Sequence, residues 1–517
     1  MNLLKTLATI SGMTMLSRIT GLIRDILIAS IFGANALTDA YNIAFRIPNL
    51  LRRLFAEGAF AQAFVPILAE YKSQQGHEAT KALVDHVATL LTWALVLTCV
   101  LGMLGTPVIL YFAAHGLIGE PDTFAASVLM TRIMFPYIGF MSLVALAGGI
   151  LNTWREFRVP AFTPVLFNLS SIAGTLFLAP RLETPIYALA IAVFVGGALQ
   201  LGFQIPALIK IGMLPRLGWR PMVAWRDSGV RRILSNMVPA ILAVSASQIS
   251  ILINTSIASG LVAGSMTWLV NADRLMEFPT ALLGVALGTI LLPSLSRANA
   301  EGDIAEYSAL LDWGLRLTFL LAMPAAVVLA TIPQALTATL FHHAKYDAHA
   351  VQMTSQALLA YGVGLIGIIV VKILAPGFYA RQNIRTPVKI AVLVLIAVQL
   401  MNLLFVPIFK HAGLALSVGL GACVNAAMLY AGLRKRGIYQ PQKGWLLFLL
   451  KLAAALLLMA TVALWMSDQI AWLEMRATPY QRAALLGGLI SACVLTYFSA
   501  LFAMGFRPRD FRKVAQV

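Results

Sequence analysis

Charge is scarce in this chain, and acid is scarcer than base. Of 517 residues only 11% are charged, with 21 Asp and Glu against 38 Lys and Arg. A soluble globular domain carries roughly 25% charged residues, so a water-soluble fold is excluded. Cysteine is rare too. Cys99, Cys423 and Cys493 stand singly in apolar runs, which leaves no disulfide framework and no cysteine metal motif. The sequence has no phosphate-binding GxxxxGK[ST] loop, which argues against direct ATP hydrolysis. No small-residue cleavage site follows the first apolar run, so that run reads as a spanning helix and not as a removed signal. There is also no basic soluble domain in which nucleic acid could bind, and the formal charge of +17 needs another explanation.

Hydrophobicity is what the chain has in abundance: 60% of residues are apolar and the mean hydropathy is +0.83. Apolar runs long enough to cross a bilayer recur from end to end, about fourteen in all. With the N-terminus inside, the loops on that side carry 23 Lys and Arg and the opposite loops carry 5. This asymmetry follows the positive-inside rule and predicts that both termini are cytoplasmic. The surplus of base is therefore topology signal and contact with anionic lipid.

The longest stretch between spans, 210–232, is basic and holds Pro215, Pro221, Trp219 and Trp225. It reads as an amphipathic interfacial segment on the cytoplasmic face, and it divides the chain. The expected organisation is an N-terminal lobe over 1–209, the linker 210–232, a C-terminal lobe over 233–436, and two further helices with a basic tail over 437–517. The lobes carry traces of a repeat. Gly33 and Pro48 share an offset of 231 with Gly264 and Pro279, and Pro66 lies 227 before Pro293. Two proline-interrupted, charged helices at matching positions of two halves point to a transporter with its site between them.

Several polar residues sit where a membrane span should be apolar. In the first span Arg18, Gly21, Arg24 and Asp25 share one side of the helix. An ionised side chain at the bilayer centre costs roughly 2.5–3.5 kcal/mol, so such a stripe faces the bundle interior or water. One Asp cannot neutralise two guanidinia, and surplus arginine suits phosphate or carboxylate. The second span carries Asp39, Arg46, Arg52, Arg53 and Glu57. There Arg53 and Glu57 have i,i+4 spacing for a pair, while Arg52 points elsewhere. The eighth span carries Asp273, Arg274 and Glu277, for which a buried strut between helices is the lesser alternative to a place in a polar cavity. Arg132, Arg316 and Lys372 stand alone in other spans and read as snorkelling to the interface. His342, His343, Asp347 and His349 are metal-ligand types, but they fall in an external loop with no helix to set their spacing. No catalytic constellation stands out, so neither an enzyme nor a cofactor or metal is expected.

The segments TMLSRITGLIRD, PNLLRRLFAEGAFAQAFVPILAEY, NADRLMEFP and LAPGFYARQNIRTPVKI closely resemble the MurJ (MviN) lipid II flippases, of the multidrug/oligosaccharidyl-lipid/polysaccharide exporter superfamily. The resemblance runs over essentially the whole chain. It implies an all-α integral membrane fold: two six-helix lobes in a V around a central cavity, plus two C-terminal helices. It implies alternating access that carries undecaprenyl-diphosphate-linked disaccharide-pentapeptide from the inner to the outer leaflet of the cytoplasmic membrane. The family's cavity arginines fall on Arg18, Arg24, Arg52 and Arg274, and their acidic companions on Asp25, Asp39 and Glu277. Arg53, Glu57 and Asp273 are secondary candidates. On this reading Arg24 and Arg274 grip the diphosphate from opposite lobes. A sodium site of some members of the family uses acids in the seventh and eleventh spans. Here 233–258 and 387–408 contain no Asp or Glu, so no bound sodium is expected. The expected partners are lipid II, membrane lipids and cell-wall synthesis proteins, with the chain itself a monomer. The rival readings are a flippase for another lipid-linked sugar, a drug or cation antiporter, a glycosyltransferase, and a scaffold. A cation exporter would want surplus acid, a glycosyltransferase would want carboxylates on a large external loop, and a scaffold leaves deep charges without a reason.

Overall fold

Proline and glycine decide where these helices break. In the computed structural model residues 3–53, 60–281 and 286–507 are described, and among them no strand occurs. The chain forms two compact units, Met1–Met266 and Thr267–Val517. The first holds α1 (Leu3–Phe32), α2 (Ala36–Arg52), α3 (Ala61–Gln74), α4 (Gly76–Ala113), α5 (Pro121–Met134), α6 (Tyr137–Thr153), α7 (Arg158–Ala173), α8 (Tyr187–Lys210), α9 (Pro221–Arg226) and α10 (Ser228–Ser259). The next helix, α11 (Ser265–Pro279), begins at the boundary. After it come α12 (Ala286–Ala300), α13 (Ile304–Thr331), α14 (Pro333–Phe341), α15 (Ala348–Leu374), α16 (Pro376–Tyr379), α17 (Arg385–Phe409), α18 (His411–Lys435), α19 (Trp445–Asp468) and α20 (Pro479–Ala503).

Among the described residues, ten helical spans, counting α5 with α6 as one, are long and apolar enough to cross a membrane. The remaining long elements are α1, the pair α2 and α3, α10, and the pair α11 and α12. These include the segments whose charges and prolines marked them in the sequence.

The two candidate repeats break in similar ways. Gly33 and Gly264 are both left-handed, with φ of 72° and 98°, each in the turn before its proline-containing helix. A Cβ is disfavoured in that conformation, which explains glycine at both places. Pro48 lies inside α2 and Pro279 ends α11, and each helix runs into a π-type turn, at Arg53 and at Thr280–Ala281. Pro66 and Pro293 then recur inside α3 and α12. A proline removes one backbone donor and crowds the preceding turn, so a straight second helix is not available in either half.

Within the second unit, small residues set the packing of α15 on α18. A Cβ on Gly364 would lie 2.0 Å from Gly419 Cα, and one on Gly367 would lie 2.5 Å from Cys423 N. Close backbone approach of this kind is a common way for membrane helices to gain contact, because lipid supplies no hydrophobic drive between them. Beside it, Asp312 of α13 is fully buried. Its Oδ1 accepts from Tyr439 Oη at 2.8 Å, Trp445 Nε1 at 2.7 Å and Gln442 N at 3.1 Å. Its Oδ2 accepts from Arg316 Nε at 2.8 Å. Arg316 also lies over the Trp445 ring, 5.1 Å from its centroid. This corrects the reading of Arg316 as a lone snorkelling charge. It is the ion partner of a buried carboxylate one turn earlier, and together they fasten the segment before α19 to α13.

Candidate functional site

The first polar helix finds its partner in α7. Gly21 provides the approach: a Cβ there would sit 3.4 Å from Asn168 Nδ2. Asn168 is buried, and its Nδ2 donates to Ser17 O at 2.9 Å and to Thr20 Oγ1 at 3.1 Å. Its Oδ1 accepts from Arg24 Nη1 at 2.9 Å. Arg24 Nε and Nη2 both donate to Asp25 Oδ1, at 2.9 and 2.7 Å. The guanidinium also lies 5.4 Å from the Phe167 ring centroid.

Arg24 is thus held on three sides: by a carboxylate on its own helix, an amide across the helix pair, and an aromatic face. Its side chain is 11% exposed. Three of the five N–H groups of a guanidinium are engaged in these bonds, which leaves donors that a bound oxyanion can accept from. Charge-assisted hydrogen bonds are the strong ones, and a preset fork loses less entropy on binding than a free one. Arg18 lies two turns earlier on the same helix, is exposed, and has no partner among the described residues.

The second span distributes its charges differently. Asp39 is buried in the first turn of α2, where the helix dipole favours a negative charge. Its Oδ2 accepts the backbone N–H of Gly264 at 2.7 Å. Asp39 therefore fixes the left-handed turn before α11. Arg46 Nη1 donates to Thr255 Oγ1 of α10 at 3.0 Å. Arg52 donates from Nε and Nη2 to Asn49 Oδ1, at 3.0 and 2.8 Å, one turn back on α2. Arg53 follows it and is exposed. Glu57 lies outside the described residues, and so does its pairing with Arg53.

In the second unit Arg274 Nη1 and Glu277 Oε2 are 3.2 Å apart, with side chains 41% and 44% exposed. An exposed i,i+3 pair contributes little to stability and is easily exchanged for another anion. Asp273 precedes them and is half-buried. Asn271, which the sequence reading passed over, is buried and donates to Tyr346 Oη at 3.1 Å.

The histidine-rich loop has structural employment. Asp347 caps α15 by accepting from Ala350 N at 2.8 Å. The carbonyl of His342, at the end of α14, accepts from Nη2 of the fully buried Arg482 at 3.1 Å. The His342 imidazole is buried, and burial together with Arg476 and Arg482 lowers its pKa. A cation at a helix C-terminus is favourably placed, which accounts for a buried arginine there.

Comparison with known proteins gives a consistent picture. Residues 28–480 match the family described as "Lipid II flippase MurJ". Over 516 residues the chain is 56% identical to "Lipid II flippase MurJ" of Burkholderia cenocepacia, with 100% of both chains covered. It is 38% identical over 522 residues to "Probable lipid II flippase MurJ" of Vibrio cholerae, with 99% of this chain and 98% of that one covered. Its fold is similar to the solved structure "Lipid II flippase MurJ, inward closed conformation", at 23% identity and a TM-score of 0.81, over 96% of this chain and 98% of that one. It is also similar in fold to an inward-facing multidrug resistance MATE family transporter of the MOP superfamily, at 14% identity and a TM-score of 0.69, over 83% of this chain and 98% of that one.

Proposed function

This chain belongs to the lipid II flippase MurJ family, and from that premise we propose that it moves undecaprenyl-diphosphate-linked disaccharide-pentapeptide from the inner to the outer leaflet of the cytoplasmic membrane. It is a multi-pass membrane transporter and not a catalyst.

The observation that carries the reading is Arg24, preset by Asp25 and Asn168 with donors left over. A lipid diphosphate has a large polar head that cannot enter hydrocarbon and a tail that can stay there. Guanidinium groups replace the water lost by the diphosphate, and alternating access of two halves carries the head across. Arg18, Arg24, Arg52 and Arg274 are the proposed diphosphate ligands. Asp25 and Glu277 orient Arg24 and Arg274 and compete for them once the head has left. Asp39 is assigned to the same polar set, with Arg53, Glu57 and Asp273 in secondary roles.

The proposed organisation keeps two six-helix halves, 1–209 and 233–436, joined by 210–232 and followed by two helices within 437–517. The matched left-handed glycines and proline breaks support it. In this arrangement α1, α2 with α3, α10, and α11 with α12 also cross the membrane, making fourteen crossings with both termini cytoplasmic.

The test is complementation. Cells depleted of their own lipid II flippase and supplied with this chain should regain lipid II in the outer leaflet, scored by its accessibility to an external enzyme or label. Rescue of growth without outer-leaflet lipid II would overturn the assignment.

A further inference from the structure

The segment between α8 and α10 has a second feature, on the surface of the first unit. Its backbone is laced to one face of α4 at three residues spaced four apart. Asp85 Oδ1 accepts from Arg216 N at 2.8 Å, Thr89 Oγ1 accepts from Gly218 N at 2.9 Å, and Trp93 Nε1 donates to Gly218 O at 3.1 Å. Trp93 and Trp219 meet with ring centroids 6.0 Å apart. His86 Nδ1 and Asp227 Oδ2, 3.0 Å apart, close the far end.

This strap lies at a definable level. Helix α4 has 38 residues. It is therefore about 57 Å long, well beyond the ~30 Å hydrocarbon core. Its large exposed apolar side chains begin at Trp93 and continue through Leu97, Leu101 and Leu104. The Trp93–Trp219 pair therefore marks the membrane interface, where tryptophan is favoured. Outward from it lies an open hollow of about 430 Å³, lined by His86, Thr89, Trp219, Arg220 and Val223 among others.

The chemistry of this hollow and of the strap beside it is lopsided. Trp219, Met222 and Val223 are exposed at 86%, 75% and 54%. Arg216 and Arg220 are exposed, and their side chains have no partner among the described residues. The nearby acids are already occupied. Asp85 serves Lys81 and the Arg216 amide, and Asp227 serves His86 and Val230 N. Rigid backbone, apolar side chains at interface depth and uncompensated guanidinia together match one ligand class.

We propose that this hollow binds the phosphate headgroup of an anionic phospholipid of the adjoining leaflet, with Arg220 in its wall and Arg216 on the strap beside it supplying the charge, and with Trp219 and Val223 of the wall and the neighbouring Met222 seated among the acyl chains. The assignment of that leaflet as the cytoplasmic one rests on the proposed topology, but the binding itself does not.

The test uses full-length protein in nanodiscs of phosphatidylcholine and phosphatidylglycerol, which present both faces, so failure here leaves the transport reading standing. Lipid retained after transfer to detergent is counted by native mass spectrometry. The R216Q/R220Q double variant should lose preference for phosphatidylglycerol by roughly tenfold or more. R434Q/K435Q, which removes two basic residues elsewhere, should keep it. Brominated phosphatidylglycerol should quench wild-type fluorescence more than that of W219F. Equal loss in both double variants, or none in either, would overturn the site. Displacement of the lipid by millimolar inorganic phosphate would overturn the choice of a lipid over a free anion.

Discussion

Arg24 Nη1 lies 2.9 Å from Asn168 Oδ1, and this contact joins α1 to α7 across 144 residues of chain. The amide faces two ways, since its nitrogen holds the Ser17 carbonyl while its oxygen holds the guanidinium. A carboxylate at position 168 would neutralise Arg24, and an aliphatic side chain would leave it loose. The neutral amide positions the charge without cancelling it. Replacing Asn168 by Leu should therefore lower transport by roughly tenfold, the scale of one hydrogen bond to a charged group, while the protein still reaches the membrane. The outer-leaflet lipid II signal per molecule of membrane protein measures this.

Asp312 anchors the segment before α19 through four donors. Asp312→Ala removes the only acceptor for Trp445 Nε1 and Tyr439 Oη among the bonds described, and it strands Arg316. Breaking a buried ion pair from one side costs about 3–5 kcal/mol. The thermal midpoint of the purified protein should fall sharply, and Asp312→Asn, which keeps the acceptor oxygen, should fall less.

The close contact between α15 and α18 makes glycine necessary at position 364. Gly364→Ala should destabilise the protein, because the new Cβ meets Gly419 backbone at 2.0 Å. Gly105→Ala is the matched control, since a Cβ there meets nothing within 4 Å and alanine is the better helix former. Thermal unfolding in detergent should separate the two.

Acid should weaken the loop between α14 and α15. The His342 pKa is lowered from 6.5 by burial and by Arg476 and Arg482, so the folded state binds fewer protons than the unfolded one near that pH. Stability from this group is complete above about pH 6.5 and is lost as pH falls through that value toward the folded pKa. Protection against hydrogen exchange at residues 342–347, measured relative to the intrinsic exchange rate at each pH, should fall below pH 6.5, and His342→Gln should flatten that dependence.

Much of this was legible in the sequence because it follows from local periodicity. One helix face gathers Arg24 and Asp25, and the offset of 231 that pairs Gly33 with Gly264 reappears as two left-handed turns. What escaped was set by distant chain. Asn168 is one amide in an apolar run, and nothing nearby says that it meets Arg24. Asp312 and Arg316 stand one turn apart, so their pairing was readable. The other donors to Asp312 lie 127 to 133 residues away, and they determine that the pair is buried. Asp39 reads as a companion for arginine, yet it also takes the backbone N–H of Gly264, a partner that side-chain charge cannot forecast.

The central claim is that the Arg24 guanidinium receives the diphosphate of the lipid carrier. The most direct measurement is outer-leaflet lipid II in cells whose only flippase is this chain carrying Arg24→Ala, with membrane levels matched to wild type. The account predicts that the signal falls to that of depleted cells while the variant remains folded in the membrane. Wild-type lipid II exposure from the Arg24→Ala protein would contradict it.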